Sequence, residues 1–156
     1  MEKTNVMRVL DQKKIKYTPY DYSDIGTTVG TEVAAALGQD EARVFKTLVT
    51  IADKSKKYYV FVIPVAEELD LKKAAKAVGE KSIEMIKQKE LLPLTGYIHG
   101  GCSPIGMKKF FTTTIHETAK DFPTIFFSAG KVGYQVEVAP DDLSKVIRYQ
   151  TADLTV

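Results

Sequence analysis

One cysteine, Cys102, stands in 156 residues, so the chain cannot close an internal disulfide. That agrees with a reducing compartment. No apolar run approaches the ~20 residues that a helix needs to cross a bilayer. The opening stretch, Met1 to Leu10, has an acidic second residue and no apolar centre, so it does not read as a secretory signal. Histidine is scarce too. His99 and His116 show no metal-ligand spacing with each other or with Cys102, so no metal is expected. A surplus of charge is also missing: 22 Lys and Arg against 20 Asp and Glu leave a net +2. The overall balance does not mark a nucleic-acid binder. Any affinity for RNA must come from where the lysines sit. With no internal repeat and no low-complexity linker, residues 1–156 read as one domain, long enough to bury a core.

What is present reads as a mixture of helices and hairpins. Thr4 or Asn5 can cap a helix carrying Val6, Val9 and Leu10. Thr31 can cap a short helix with Val33, Ala36 and Leu37 inward, stopped by Gly38. Asp70 can cap a third, with Leu71, Ala74, Ala75 and Val78 on one stripe and Gly79 at its end. Pro140 suits a first helical position, followed by Asp141 and Asp142 at the positive end of the dipole and by inward Leu143, Val146 and Ile147. Val44 to Ile51 and Tyr58 to Ile63 are strand-like and flank the turn Asp53 to Lys56. Ile125 to Phe127 and Tyr134 to Val138 form a second such pair. Shorter strands are expected at Tyr17 to Tyr20, Ile83 to Met85, Tyr97 to His99 and Thr113 to Ile115. Without regular βαβ alternation, the expectation is an α/β fold with a mixed, curved, barrel-like sheet surrounded by helices.

Lys46 is the most informative residue. It sits inside an apolar strand, with Val44 and Leu48 on its own face and Phe45, Thr47 and Val49 on the other. A lysine there is costly unless it reaches a cleft or a partner. One reading is a ligand contact. The other is a side chain that stretches to water or pairs with a carboxylate. The run Gly100-Gly101-Cys102-Ser103-Pro104-Ile105-Gly106 fixes an unusual backbone path, whose N–H groups could receive a carbonyl or an oxyanion, or which is simply a tight loop. Ser128 to Gly133 is either a pocket-lining loop or a hairpin turn, and it lacks the spacing of a phosphate-binding Walker loop. Cys102 lacks a histidine at a spacing that suggests a dyad, which argues against a nucleophile. Lys72, Lys73 and Lys76 lie opposite the apolar stripe of their helix. They are a solvated face or contacts for a phosphate backbone.

Taken in order, the motifs resemble one family. They are Tyr20; Arg43 to Leu48; Leu71 to Lys76; Thr95-Gly96-Tyr97 through Gly100 to Gly106; and Ser128 to Lys131. The chain, from about Met1 to Ile147, is similar to the YbaK family of aminoacyl-tRNA deacylases and to the editing domain inserted in bacterial prolyl-tRNA synthetases. The resemblance implies a trans-editing enzyme that removes cysteine from Cys-tRNA(Pro), with Cys-tRNA(Cys) as a further substrate. Its partners would be aminoacylated tRNA and prolyl-tRNA synthetase, with no DNA, membrane or cofactor, and its place the cytoplasm. Proline and cysteine are too close in size for one pocket to separate, so a second site supplies the selectivity.

Site residues follow from the same resemblance. Lys46 would bind the terminal adenosine or phosphate and hold the ester. Gly101 and Pro104 match the G-x-x-P loop, whose backbone would contact the aminoacyl carbonyl, and Tyr20 matches a tyrosine near the substrate. Thr47, Gly100, Ser103, Ser128 and Gly130 fall in the same motifs and would line the substrate site. The last loop has Ala129 where the family pattern has glycine. The mechanism implied uses the substrate's own thiol, which attacks its ester, while the protein supplies position and an oxyanion site. Two alternatives stand beside it: an Ala-tRNA(Pro) deacylase using water, and a non-catalytic adaptor that binds tRNA or the synthetase.

Overall fold

A computed structural model describes residues 1–156. In chain order the elements are α1 (Asn5–Gln12), β1 (Thr18–Asp21), α2 (Gly30–Leu37), β2 (Phe45–Ala52), β3 (Tyr58–Pro64), α3 (Leu71–Val78), β4 (Ile83–Met85) and α4 (Gln88–Thr95). They continue with β5 (Thr112–His116), β6 (Ile125–Ser128), β7 (Tyr134–Val138), α5 (Pro140–Leu143) and β8 (Gln150–Ala152). The fold is mixed α/β. Its strands form two sheets and do not close into a barrel: β1-β7-β6, and β4-β2-β3-β5-β8. The first is antiparallel throughout. In the second, β3 pairs parallel with β5, and β5 with β8. The sheets meet at one parallel bridge, Val44 with Phe126.

Strand alternation sorts the core. Phe45, Val49, Val60 and Val62 face one side of the five-stranded sheet. They join Ile125, Phe127, Val136 and Val138 from the other sheet and Val6, Met7 and Leu10 from α1 in a 19-residue main cluster. The opposite side carries Tyr59, Phe61 and Ile63, covered by Ala74 and Ala75 of α3 and by Leu154. β3 is therefore buried on both faces, which is why it reads as an unbroken apolar run. A third, small cluster of Ala34, Val44 and Phe126, with Tyr20 and Val65 packed on it, lies beneath α2 on the face away from the main core. A Cβ on Gly30 would fall 2.5 Å from Val65 Cγ1, so glycine lets the start of α2 seat directly on that residue.

Most expected caps and strands are found, and α2 and the segment after α4 differ. Of the two caps expected for α1, Thr4 is the one used: its hydroxyl accepts from Met7 N at 3.2 Å. Thr31 lies inside α2, whose cap position is Val29. The start of that helix is held instead by Thr27, which accepts from Val29 N and donates to Glu32. The inward residues of α2 are Val33 and Ala34 rather than Ala36 and Leu37. Tyr97 to His99 is not a strand but the loop after α4, a helix with Pro93 inside it. Asp70 caps α3 as expected, accepting from Lys72 N and Lys73 N, and Gly79 ends it. No helix is long and apolar enough to cross a membrane.

Candidate functional site

The register of the two sheets brings distant residues into one line. Tyr20 pairs with Gln135, and Gln135 with Ser128. All three point away from the main core, since their neighbours Val136 and Phe127 point into it. Two residues beyond the Val44–Phe126 bridge, the same parallel register would set Lys46 level with Ser128. Lys46 also faces away from the main core, paired with Ile63 across the strand. No ladder joins β2 and β6 past the bridge, so the two strands part there. Tyr20, Ser128 and Lys46 thus share one face, with Ser128 and Lys46 on opposite banks of the gap.

Lys46 is half-buried, and its Nζ donates to the Val65 carbonyl at a long 3.4 Å. Burial pulls its ammonium below the usual lysine range, while the Glu68 carboxylate nearby acts in the opposite direction. No ion pair holds it within 4.0 Å of a carboxylate, so of the two readings left open by the sequence a fixed salt bridge is not the one observed. Thr47, next along β2, points to the other face. Its Oγ1 is buried there without a hydrogen-bond partner. The Val44 carbonyl accepts from Val65 N at 2.8 Å, so even-numbered residues of β2 bond to β3. The N–H and C=O of Thr47 therefore turn to the gap, even though its side chain does not.

The Gly100–Gly106 loop closes on this region. A Cβ on Gly101 would lie 3.0 Å from Val132 N and 3.3 Å from the Lys131 carbonyl carbon, so the loop rests backbone to backbone on the turn after Ser128. Gly100 lies against Thr28, where an added Cβ would be 3.8 Å from the Thr28 Cβ. The floor of the loop is anchored inward. Tyr97 Oη donates to the Ile105 carbonyl at 2.5 Å, Ile105 is fully buried, and the Ser103 hydroxyl accepts from Ile105 N at 3.3 Å. Ser103 is thus fully buried in its own loop, and Pro104 is buried beside it. Gly130 faces Val6 and Tyr97, and its N–H donates to Ser128 Oγ at 3.1 Å. Ala129, where the family pattern has glycine, places its methyl in the main core.

A depression of about 300 Å³ opens beside these loops, lined by Tyr22, Ser23, Gly26, Thr27, Thr28, Val132 and Gly133. It touches the Gly100–Gly101 neighbourhood through Thr28 and Val132, but Lys46 is not in its wall. The three candidate lysines of α3 differ from one another. Lys73 is held by Asp153 at 2.9 Å and by the Thr155 carbonyl at 2.7 Å, while Lys72 and Lys76 are exposed. Cys102 sits at the edge of the main core, and burial pushes its thiol up to about 12.

One residue that sequence reasoning passed over, Glu137, belongs to this face, and Arg43, which opens the Arg43–Leu48 motif, stands against it. Tyr20 Oη donates to Glu137 Oε1 at 2.7 Å, and Arg43 Nη2 stands 3.6 Å from Glu137 Oε2. The sequence carried no signal for Glu137 like that of Lys46, since β7 reads Tyr134-Gln135-Val136-Glu137-Val138 and its alternation with Gln135 on the same face makes a glutamate there ordinary.

The family model of the aminoacyl-tRNA editing domain matches residues 26–146. EbsC of Enterococcus faecalis, a candidate Cys-tRNA(Pro)/Cys-tRNA(Cys) deacylase, is 46% identical over 155 residues, covering 99% of this chain and 94% of that protein. The proline–tRNA ligase of Shouchella clausii is 32% identical over 77 residues, 49% of this chain and 13% of the ligase. Among solved structures, a candidate trans-editing enzyme for prolyl-tRNA synthetase matches 99% of each chain with a TM-score of 0.82 at 24% identity, which is a likeness of fold.

Proposed function

From the premise that this chain belongs to the aminoacyl-tRNA editing domain family, we propose that it removes cysteine from Cys-tRNA(Pro), and from Cys-tRNA(Cys) as a second substrate. It is an aminoacyl-tRNA deacylase; the cysteine specificity, the work beside prolyl-tRNA synthetase and the cytoplasmic setting are the reading offered here. The support for a cysteine substrate is likeness to a relative rather than a feature of the site. It goes with the 46% identity to EbsC over nearly the whole of both chains. The chain's own thiol is packed at the core edge and pushed up by burial, so the protein does not supply the nucleophile from Cys102.

In this reading the substrate brings the nucleophile. The cysteine sulfur attacks its own ester carbonyl carbon, a C–S bond forms, and the C–O bond to the ribose breaks. The thiol proton ends on the released ribose oxygen, and a cyclic thioester leaves. Lys46 holds the phosphate end of the acceptor strand. The backbone of Gly100 to Pro104 holds the carbonyl oxygen as its charge develops. Bringing sulfur and carbonyl into a fixed approach is the larger part of what the protein contributes.

The test is a deacylation assay on Cys-, Ser-, Ala- and Pro-tRNA(Pro), with the cysteine ester also presented after alkylation of its thiol. Rapid release of cysteine, with serine largely spared and the alkylated ester stable, is the expected result. Serine has nearly the same shape, so a pocket alone would not reject it strongly. Equal rates on seryl and cysteinyl esters, or cleavage of the alkylated one, would replace the substrate thiol with activated water.

A further inference from the structure

The Tyr20 hydroxyl is already committed before any ligand arrives. It donates its one proton to Glu137 Oε1 at 2.7 Å. Glu137 is itself pinned. The Thr124 hydroxyl donates to its other oxygen, and Arg43 Nη2 stands 3.6 Å from that same atom. Arg43 is fixed in turn: its Nε donates to the Thr124 carbonyl at 3.0 Å, and its guanidinium lies over Phe126 at 5.2 Å and Phe122 at 6.0 Å. The Tyr20 ring meets the edge of Phe126 with centroids 5.7 Å apart. Ring and hydroxyl are therefore both held. The Glu137 hydrogen bond and then burial raise the phenol above its usual range, so it remains protonated in the neutral range. What the oxygen has left to offer is a lone pair.

We infer that Glu137, steadied by Arg43, is a positioning residue that sets Tyr20 as a hydrogen-bond acceptor for a donor on the aminoacyl end of the ligand. Two groups there carry such a donor: the α-ammonium of the amino acid and the free hydroxyl of the terminal ribose. The inference rests on the deacylase reading above. It adds a consequence that reading does not require: the site selects for an N–H or O–H at one place on the substrate. Without Glu137 the phenol is free to turn its proton toward the ligand, and acceptor and donor roles blur.

The experiment measures kcat/KM for release of cysteine by the wild-type protein, Tyr20→Phe, Glu137→Ala, Glu137→Gln and the double variant Tyr20→Phe/Glu137→Ala. Substrates are the natural ester, its 3-mercaptopropanoyl analogue, which lacks the α-nitrogen, and its form with a 2′-deoxy terminal ribose. Tyr20→Phe should lose about tenfold on the natural ester, the worth of one hydrogen bond. Glu137→Ala should lose a similar factor, and the double variant no more than either. Glu137→Gln, whose amide oxygen still accepts from the phenol, should recover to within about threefold. On whichever altered substrate lacks the donor, Tyr20→Phe should lose nothing further, which identifies the source. Tyr20→Phe removes a single oxygen and keeps the ring on Phe126, so it carries this comparison even if Glu137→Ala folds poorly. Wild-type kcat/KM in Glu137→Ala, losses that multiply in the double variant, or a full Tyr20→Phe effect on both altered substrates would overturn the inference. A wild-type protein inert on every natural ester would instead overturn the deacylase reading, and this inference with it.

Discussion

Gly101→Ala separates positioning from stability at the site. The backbone of Gly101 is outside the left-handed region, so alanine can adopt it without dihedral strain, and its smaller unfolded-state entropy favours folding by ~0.4–1 kcal/mol. Against this, the new methyl would lie 3.0 Å from Val132 N and 3.3 Å from the Lys131 carbonyl carbon, atoms that cannot rotate away. The Gly100–Gly106 loop must retreat from the turn after Ser128 by a few tenths of an ångström. The two effects oppose each other, so net stability should change by less than ~1 kcal/mol, a melting shift within ~4 °C for a chain of this size. Catalysis has no such compensation. The retreat moves the backbone that would face the reacting carbonyl, and small misplacements of that kind cost ~10- to 100-fold. Gly130→Ala is the contrast. Its φ is +86°, and a Cβ would meet Val6 Cγ2 at 2.9 Å and Tyr97 Cε1 at 3.0 Å, so it should lose ~2–4 kcal/mol of stability. Thermal unfolding and kcat/KM on Cys-tRNA(Pro), measured on both variants, decide the matter. A Gly101→Ala protein with wild-type kcat/KM, or one whose activity falls only because it unfolds, would refute the reasoning.

Three other outcomes are expected. Burial lowers the Lys46 ammonium below the usual 10.5, so its charge is lost as pH rises through that lowered value. KM should therefore climb on the alkaline side earlier than for an ordinary lysine; Lys46→Arg should remove the climb and Lys46→Ala should nearly abolish activity in a folded protein, both checked by pH-resolved kinetics. With its thiol at about 12, Cys102 is thiolate to only ~10⁻⁵ at pH 7, so Cys102→Ser should keep most activity and iodoacetamide should label the native protein very slowly. Charge reversal at Lys72 and Lys76 should weaken tRNA binding at low salt and flatten its salt dependence, whereas reversal at Lys73 should lower the melting temperature by breaking its contacts with Asp153 and Thr155.

Local chemistry was legible where one residue decides the outcome. Asp70 before an apolar stripe, Gly79 after it and the turn at Asp53 to Lys56 each act within a few residues, and the structure has them. α4 was not legible, because Pro93 inside Gln88–Thr95 reads as a helix breaker while Glu90, reaching back to Lys87 N at 2.8 Å, secures the start. β8 was missed because Gln150–Ala152 has no alternation of its own; it exists through pairing with β5, more than thirty residues earlier. Lys46 could be singled out from its own strand, since a lysine among apolar neighbours is a local anomaly. Its alignment with Ser128 and Tyr20 could not, because that depends on which strands become neighbours. The Tyr20–Glu137 bond, spanning 117 positions, is of the same kind.

The lone bridge between the sheets has a mechanical consequence. Val44 and Phe126 are the one pair at which the backbones of the two sheets bridge, pinned alongside by Arg43 on Thr124. Lys46 and Ser128 stand two residues beyond it, one on each sheet. The bridge stands at the head of the gap, and the main core shared by both sheets on the other face sets the angle at which they meet, and with it the spacing of those two side chains. Strand amides deep in either sheet should exchange with deuterium only on global unfolding, while Phe126 and its neighbours at the bridge should exchange through a smaller opening.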